Sequence, residues 1–546
     1  MKHCCLSTGW LLSFLLMALA GNPLAAEVQQ GTLVIALGTL GSQSMDPIQE
    51  TRSPHAHYQA PMYDALVGLN FEKGGKGPGV AERWELAKDG LSWTFYLRKG
   101  LKWHNGDPLT AHDVKFSFER TMSKESITSN KAALRRDVKS IEVIDDYTVR
   151  IYTNGVQVHF PENLSRASYQ VGQLMPKKYI ETVGAEEFRK KPIGSGPWKV
   201  VKNVPGDRIE YEAVDYPHFR GRPHFKRLIL LLVPEESTRV AMVRTGEAAI
   251  ADISPESIKE VKAAKLKVVS VPGTMQAIYQ IYGLYRPESQ KNPLADKRVR
   301  EALSLAIDRQ QIIDHVMYGE ASWPLPFDIY QYSADTDTER WQKWSREAFR
   351  YDPKRAKQLL AEAGYPNGFE LSFANTAMAG TPFMVPIGLV IAEFWSKLGI
   401  KVKYTHYEWG SFAPLLLGEQ ERLVGVVSMY RTAGRPVAAP RFYGAFHSRG
   451  AHHLLGRGND CPELCKTFDE LHKAVTAEPD AVKRAEKTNR MIELVSDEWI
   501  AVPIIEGMGY WAVNTKKVGA FKSIPGRHEF GDVFERMPRP EQKPWQ

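Results

Sequence analysis

Between Arg422 and Asn459 the chain carries six arginines (Arg422, Arg431, Arg435, Arg441, Arg449 and Arg457) and neither a lysine nor an acid. A guanidinium presents a planar fork of donors that matches carboxylate, sulfate or phosphate, and it keeps its charge when partly buried. Such a run points to capture of an anion. The plainer reading is that these side chains face solvent or pair with acids elsewhere, such as Asp460, Glu463 or Glu470. Residues suited to covalent chemistry do not assemble. Gly74-Gly75-Lys76-Gly77-Pro78-Gly79 resembles a phosphate loop in composition alone, because no Ser or Thr follows the lysine and no helix begins there; it reads as a hairpin or surface loop. Ile193-Gly194-Ser195-Gly196-Pro197 places a serine between glycines without the spacing of a nucleophile elbow. His55, His57, His104, His452 and His453 make no metal-ligand pattern, so no metal site and no cofactor is expected. Cys461 and Cys465, spaced i, i+4, sit within disulfide reach at the first turn of a helix, and two sulfurs alone do not complete a metal site. Nothing here requires an enzyme.

The elements that must position these residues are mixed α and β. Short β-branched and aromatic runs at Leu33 to Leu37, Trp93 to Leu97, Thr148 to Tyr152, Leu228 to Val233, Gln276 to Tyr282, Phe369 to Phe373, Ile400 to Tyr404, Val424 to Met429 and Ala501 to Ile505 read as strands. Helices between them are punctuated. Asp352-Pro353 supplies an N-cap and an N1 proline, Ala356, Leu359, Leu360 and Ala363 form a stripe, and Gly364 ends it. Asp308 is placed to cap another helix. Thr110 caps a third, with Asp113 at N3. The tail Met537 to Gln546, with three prolines, reads as frayed.

The chain is 546 residues long, which at roughly 150 residues per domain suggests about three domains. A hydrophobic content of 43% with 25% charged residues excludes disorder and low complexity. The 71 basic residues exceed the 63 acidic ones, for a net charge of +8, yet they are interspersed with acids over most of the length. The basic patch of a nucleic-acid binder is missing. Met1-Lys2-His3, the apolar Leu11 to Ala20 and the small residues before Glu27 read as a secretory signal peptide cleaved near Ala26. Cys4 and Cys5 precede the apolar run, which is the wrong place for a lipid-accepting cysteine. Export to the periplasm is therefore expected, where Cys461 and Cys465 would oxidise.

Val80 to Trp84 followed by Trp93 to Ser117, including Trp103-His104-Asn105-Gly106-Asp107-Pro108-Leu109-Thr110-Ala111, resembles the signature of the family 5 extracytoplasmic solute-binding proteins, receptors of ABC importers for peptides, nickel and oligosaccharides. Lys191 to Val200 and Asp296 to Arg309 resemble two further blocks of that family, and Tyr351 to Phe369 and Ala501 to Val513 continue the match in order. The resemblance implies an α/β, two-lobed periplasmic binding protein (type II) with an extra domain and a hinge between discontinuous lobes. Domain I would join 27–53, 192–272 and 499–546, domain II would span 54–191, and domain III 273–498. It implies a non-enzymatic, monomeric substrate-binding subunit that closes on a small peptide-like or anionic organic solute and delivers it to ABC permease transmembrane subunits. A periplasmic ligand-sensing domain feeding a membrane receptor, or an exported hydrolase, are the alternatives.

Peptide-binding members place an acid just after a tryptophan at a strand end of domain III. The matching stretch here, Ser428-Met429-Tyr430-Arg431-Thr432-Ala433-Gly434-Arg435-Pro436, has none, and Gln280 to Leu284 lacks the asparagine often found in that strand. Arg431 and Arg435 are therefore the expected ligand contacts, with Tyr282, Trp409 and Tyr430 as the aromatic wall.

Overall fold

Strand-length runs of branched and aromatic residues become sixteen strands in the computed structural model, which describes residues 30–49, 55–72, 74–128, 131–168, 172–377, 381, 383–417, 420–527, 531 and 533–543. The expected signal peptide, with Cys4 and Cys5, lies outside the described residues. The strands are β1 (Thr32–Leu37), β2 (Val67–Leu69), β3 (Lys76–Pro78), β4 (Ala81–Leu86), β5 (Ser92–Leu97), β6 (Val138–Asp145), β7 (Thr148–Thr153) and β8 (Trp198–Val204). They continue with β9 (Arg208–Ala213), β10 (Arg227–Leu232), β11 (Ile250–Ile253), β12 (Lys267–Ile281), β13 (Glu370–Ala377), β14 (Lys401–Glu408), β15 (Val427–Arg431) and β16 (Ala501–Val513). Ten of them form one mixed sheet in the order β14-β13-β15-β12-β16-β11-β1-β10-β9-β8, while β4-β5-β7-β6 make a separate antiparallel sheet.

Two long strands join the halves of the large sheet. β12 and β16 pair antiparallel over most of their length, with register breaks between Val271 and Met275 and between Ala277 and Ile278. One end of the β16 and β12 pair meets β11, and through it β1 and β10; the other end meets β15 and β13. Sequence patterning marks only the half of β12 after Pro272-Gly273 and the half of β16 before Gly507, because these residues interrupt the β pattern. At this crossing Gly273 takes φ +67° and a Cβ there would stand 2.5 Å from Cε1 of Tyr332, so only glycine fits. The Tyr332 hydroxyl in turn donates to the Gly273 carbonyl at 2.6 Å.

Buried side chains divide accordingly. One apolar cluster runs from Met275 to Ile505, a second gathers Leu33, Trp198, Leu228, Trp511 and Phe534, and a third packs Phe95, Trp103, Val114 and Ile151 against the small sheet. The small sheet is tied to its neighbour by two of the motifs read from sequence. His104 donates from Nε2 to the Gly196 carbonyl at 2.8 Å and accepts from the Gly194 N–H at Nδ1. Burial holds this imidazole neutral by pulling its pKa down to about 4. Gly194 and Gly196 lie so close to Met62 and Pro61 that any Cβ would strike a carbonyl oxygen. Ser195, 3% exposed, donates to Asp64, which also faces His218 and Arg220. Burial opposes the Asp64 charge, but His218, Arg220 and Arg166 outweigh it and hold the carboxyl far below the usual range. The serine between glycines is thus a structural tie.

Local punctuation follows the sequence reading. Asp352 accepts from the Arg355 N–H and Asp308 from Gln311, while Asp113 accepts from the Thr110 N–H at 2.9 Å. The tail differs from expectation. Met537 is fully buried and the Pro538 carbonyl accepts from Gly519, so 537–539 is packed despite its prolines because Met537 joins the second cluster, while Pro540, Glu541 and Lys543 are exposed.

Cys461 and Cys465 form a disulfide with Cα atoms 5.4 Å apart, at the start of the helix Glu463–Ala477, and both are buried beside Phe468. Closing so short a loop stabilises the fold by only about 1 to 2 kcal/mol. Denatured, unreduced mature protein is expected to titrate with no free thiol, and reduction to lower the unfolding midpoint slightly. Two reactive thiols before reduction would contradict the pairing.

Candidate functional site

The candidate site grows from the pleat of two neighbouring strands. In the register of β12 with β15, Gln280 stands opposite Ser428 and Ile278 opposite Tyr430, and alternation brings Tyr282 to the same face. Tyr282 is 1% exposed and Gln280 fully buried, and the Gln280 amide donates to the Tyr282 hydroxyl. Burial, then the neighbouring Tyr430, keeps the Tyr282 phenol protonated far above its ordinary range. Over this face lies the helix Ala439–Phe446, which carries Arg441. Its guanidinium sits 5.3 Å from the Tyr430 ring centroid and 5.8 Å from that of Phe327. His452 packs edge-on against Tyr430 at 5.3 Å. Burial and then Arg441 push the His452 pKa well down, so this imidazole is neutral.

Charge at the site is sparse and uneven. Burial acts against the Arg441 charge, but Tyr430 and Asp328 outweigh it and hold the guanidinium above its ordinary range. Its Nε and Nη2 are shielded from solvent and have no hydrogen-bond partner among the described residues. Asp328, 1% exposed, is the acid facing it. Burial raises the Asp328 carboxyl to about 6, although Arg441, Arg435 and Thr432 pull it down. Two guanidiniums therefore share one carboxylate that is itself reluctant to ionise. Gln280 Oε1 and His452 Nδ1 are further buried atoms without partners in the same cluster. Buried polar atoms are normally paired, so their concentration here marks a place shaped to meet a polar group from outside the chain.

Contacts between segments far apart in the chain cluster around the helix Ala439–Phe446 and its surroundings. Asp335 receives Arg484 at 2.8 and 3.0 Å from its own half and faces His159 of the other half at 3.4 Å. Burial draws the His159 pKa down to about 4 against the pull of Asp335. The Arg136 guanidinium lies 4.1 Å from the Tyr443 ring centroid, and the Val158 N–H donates to the Thr476 carbonyl. Of these, Arg136, His159, Tyr443 and Thr476 line a groove of about 570 Å³.

The structure thus brings Tyr282 and Tyr430 together, as expected, although Tyr282 is core and meets the site through its hydroxyl. Arg431 is adjacent to Tyr430 in sequence, so the pleat turns it to the opposite face of β15; the residue is half-buried, and its shielded Nε has no hydrogen-bond partner among the described residues. Arg435 is half-buried and close enough to Asp328 to lower its pKa. Trp409 opens the helix Trp409–Leu417, and its side chain lies outside the described residues. Sequence reasoning missed two members. Arg441 stood among the six arginines without distinction, and Asp328 is about a hundred residues away in a loop where it adopts φ +54°. The sequence offers one hint, an aspartate set in the proline-rich aromatic run from Trp323 to Tyr330. Among the described residues, Cys461, Cys465 and Asp469 are the group with metal-like proximity, and the disulfide uses both sulfurs.

The family model for bacterial extracellular solute-binding proteins, family 5 (middle region), matches residues 77–452. The dipeptide-binding protein of Escherichia coli K12 is 25% identical over 545 residues, covering 95% of this chain and 97% of that protein. Heme-binding protein A of Haemophilus influenzae is 32% identical over 381 residues, 64% of this chain and 65% of that protein. Among solved structures, the Helicobacter pylori periplasmic binding protein DppA in complex with the peptide STSA superposes with a TM-score of 0.74 at 23% identity, covering 94% of this chain and 99% of that one. The binding protein AgaA of A. tumefaciens R10, in complex with agropinic acid, gives 0.73 at 22% identity, covering 93% of this chain and 99% of that one.

Proposed function

The chain belongs to the bacterial extracellular solute-binding proteins of family 5, and from that premise we propose that it is the monomeric receptor of an ABC importer for a small solute bearing an acidic group. The observation that carries the acidic ligand is Arg441, a guanidinium with two buried, unpartnered nitrogens in a site whose one acid is half neutral near pH 6. An anion there forms charge-assisted hydrogen bonds in a low-dielectric setting, whereas an ammonium anchored as in peptide receptors meets two arginines. Relatives of the same fold are recorded with peptides and with agropinic and mannopinic acids, so the architecture accommodates both kinds of ligand. Arg435 and Tyr430 complete the reading, with Arg431 and Trp409 as outer contacts.

Domain I would comprise 27–53, 192–272 and 499–546, domain II 54–191 and domain III 273–498, with the crossing at Pro272-Gly273 and Gly507 as the hinge. Ligand touches both lobes only when they are closed, so binding shifts the population toward the closed form that a permease recognises. A thermal-shift panel of acidic, neutral and amine-anchored solutes identifies the ligand class, because binding to the folded state raises the midpoint. Small-angle scattering with the best hit is then expected to show a smaller radius of gyration. An unchanged radius at saturation, or a best ligand held by its ammonium group, would overturn the reading.

Export would remove residues 1–26, since small residues and no lipid-accepting cysteine follow the apolar run. Intact-mass measurement of periplasmic material is expected to show a chain starting at Glu27. Full-length chain in the membrane fraction would refute it.

A further inference from the structure

We propose that the cavity beside the β12 and β16 crossing is a second ligand site, for a small organic ammonium, with Glu506 as its anionic partner. This cavity of about 730 Å³ is bounded by β16, the segment from Ala321 to Leu325 and the helix Thr338–Ala348, and it shares no lining residue with the arginine site. Glu506 is 5% exposed, and its carboxylate accepts no hydrogen bond and meets no cation among the described residues. Its cross-strand neighbour Gln276 has nothing left to offer. The Gln276 amide nitrogen lies 2.9 to 3.3 Å from the carbonyls of Leu325, Pro326 and Ile329, and its oxygen accepts from the Asp328 N–H at 2.8 Å. The Glu506 backbone is equally committed, exchanging two bonds of 2.9 Å with Ser322.

A mostly buried carboxyl with no donor from the described residues is costly to ionise, and burial raises it to about 8. Such a group is a poor structural element and a good receptor, because an arriving cation both neutralises it and supplies the missing donors. The walls are suited to an alkyl chain: Ile313, Pro324, Leu325 and the Trp323 ring line the cavity. Trp323 already accepts a cation, with the Arg346 guanidinium 4.5 Å from its ring centroid. The remaining charges facing the cavity are Asp314, Glu339, Lys343 and Arg346, all exposed, two of each sign. They screen in solvent and nearly cancel, which leaves the buried carboxyl to set the preference.

Binding carries a proton signature. Near pH 7 Glu506 is mostly protonated; an ammonium beside it favours the carboxylate, so the proton leaves to solvent as the amine arrives. Calorimetry with n-butylammonium chloride, in two buffers of different ionisation enthalpy, is expected to show binding with release of a substantial fraction of a proton and tighter binding as pH rises from 7 to 8. The isosteric Glu506→Gln, which removes the charge and keeps the shape, is expected to weaken binding by about tenfold or more and to abolish proton release. n-Butanol, with the same chain and no charge, is expected not to bind. Equal affinity in the variant, binding without proton release, or no binding of butylammonium to the parent protein would each overturn the proposal.

Discussion

Replacing Arg441 by alanine is expected to weaken the binding of the acidic ligand by about tenfold to a hundredfold, the equivalent of one or two charge-assisted hydrogen bonds. The shielded Nε and Nη2 of Arg441 have no hydrogen-bond partner among the described residues, so their donors are unspent and the loss falls on the ligand. Lysine is expected to restore only part of the affinity, because a point charge reproduces neither the fork nor the stacking between Tyr430 and Phe327. Asp328 gives an opposite control. It draws on both Arg441 and Arg435, so Asp328→Asn is expected to strengthen binding of an anion while Arg441→Ala weakens it. Titration calorimetry of the two variants with the hit from the ligand panel decides the matter. Parent-like affinity in Arg441→Ala would move the anion site elsewhere, with Arg435 and Arg431 next in line.

Glu506→Gln is expected to stabilise the folded protein in neutral and alkaline solution, by about 2 to 4 kcal/mol at pH 7. The Glu506 carboxyl is raised in the folded state to about 8, well above its value in the unfolded chain. Its contribution to stability is therefore fully present below the unfolded pKa, near 4.3, and is lost as pH rises through 8. Glutamine does not ionise, so the variant escapes that loss. Urea midpoints for the two proteins are expected to coincide near pH 4.5 and to diverge steadily up to pH 8. Parallel profiles over that range would mean that the carboxyl finds a partner in solution.

The fold was legible because its evidence is local. Helix caps at Asp352 and Asp308, the capping pair of Thr110 and Asp113, and the strand-length runs are each written within a few residues, and local hydrogen bonds and burial patterns suffice to form them. The serine of Ile193 to Pro197 and the histidine of Trp103 to Pro108 were legible as family blocks but not as one object; only packing shows that His104 clasps Gly194 and Gly196. The start of the tail departs from expectation for the same reason, since proline content speaks of local backbone freedom and not of the distant apolar cluster that Met537 joins.

By itself, then, the sequence determined the receptor family, the mixed α and β architecture and the acid-free arginine run. Tertiary structure decided which arginine matters and what opposes it. Tyr430 and Arg431 are neighbours in the chain, but a strand turns successive side chains to opposite faces, so Arg441 from a following helix takes the place beside the ring. Electrostatics is likewise a matter of distance in space: the charge of a site is a sum over residues such as Asp328 and Arg435, far apart in sequence, and burial sets the weight of each.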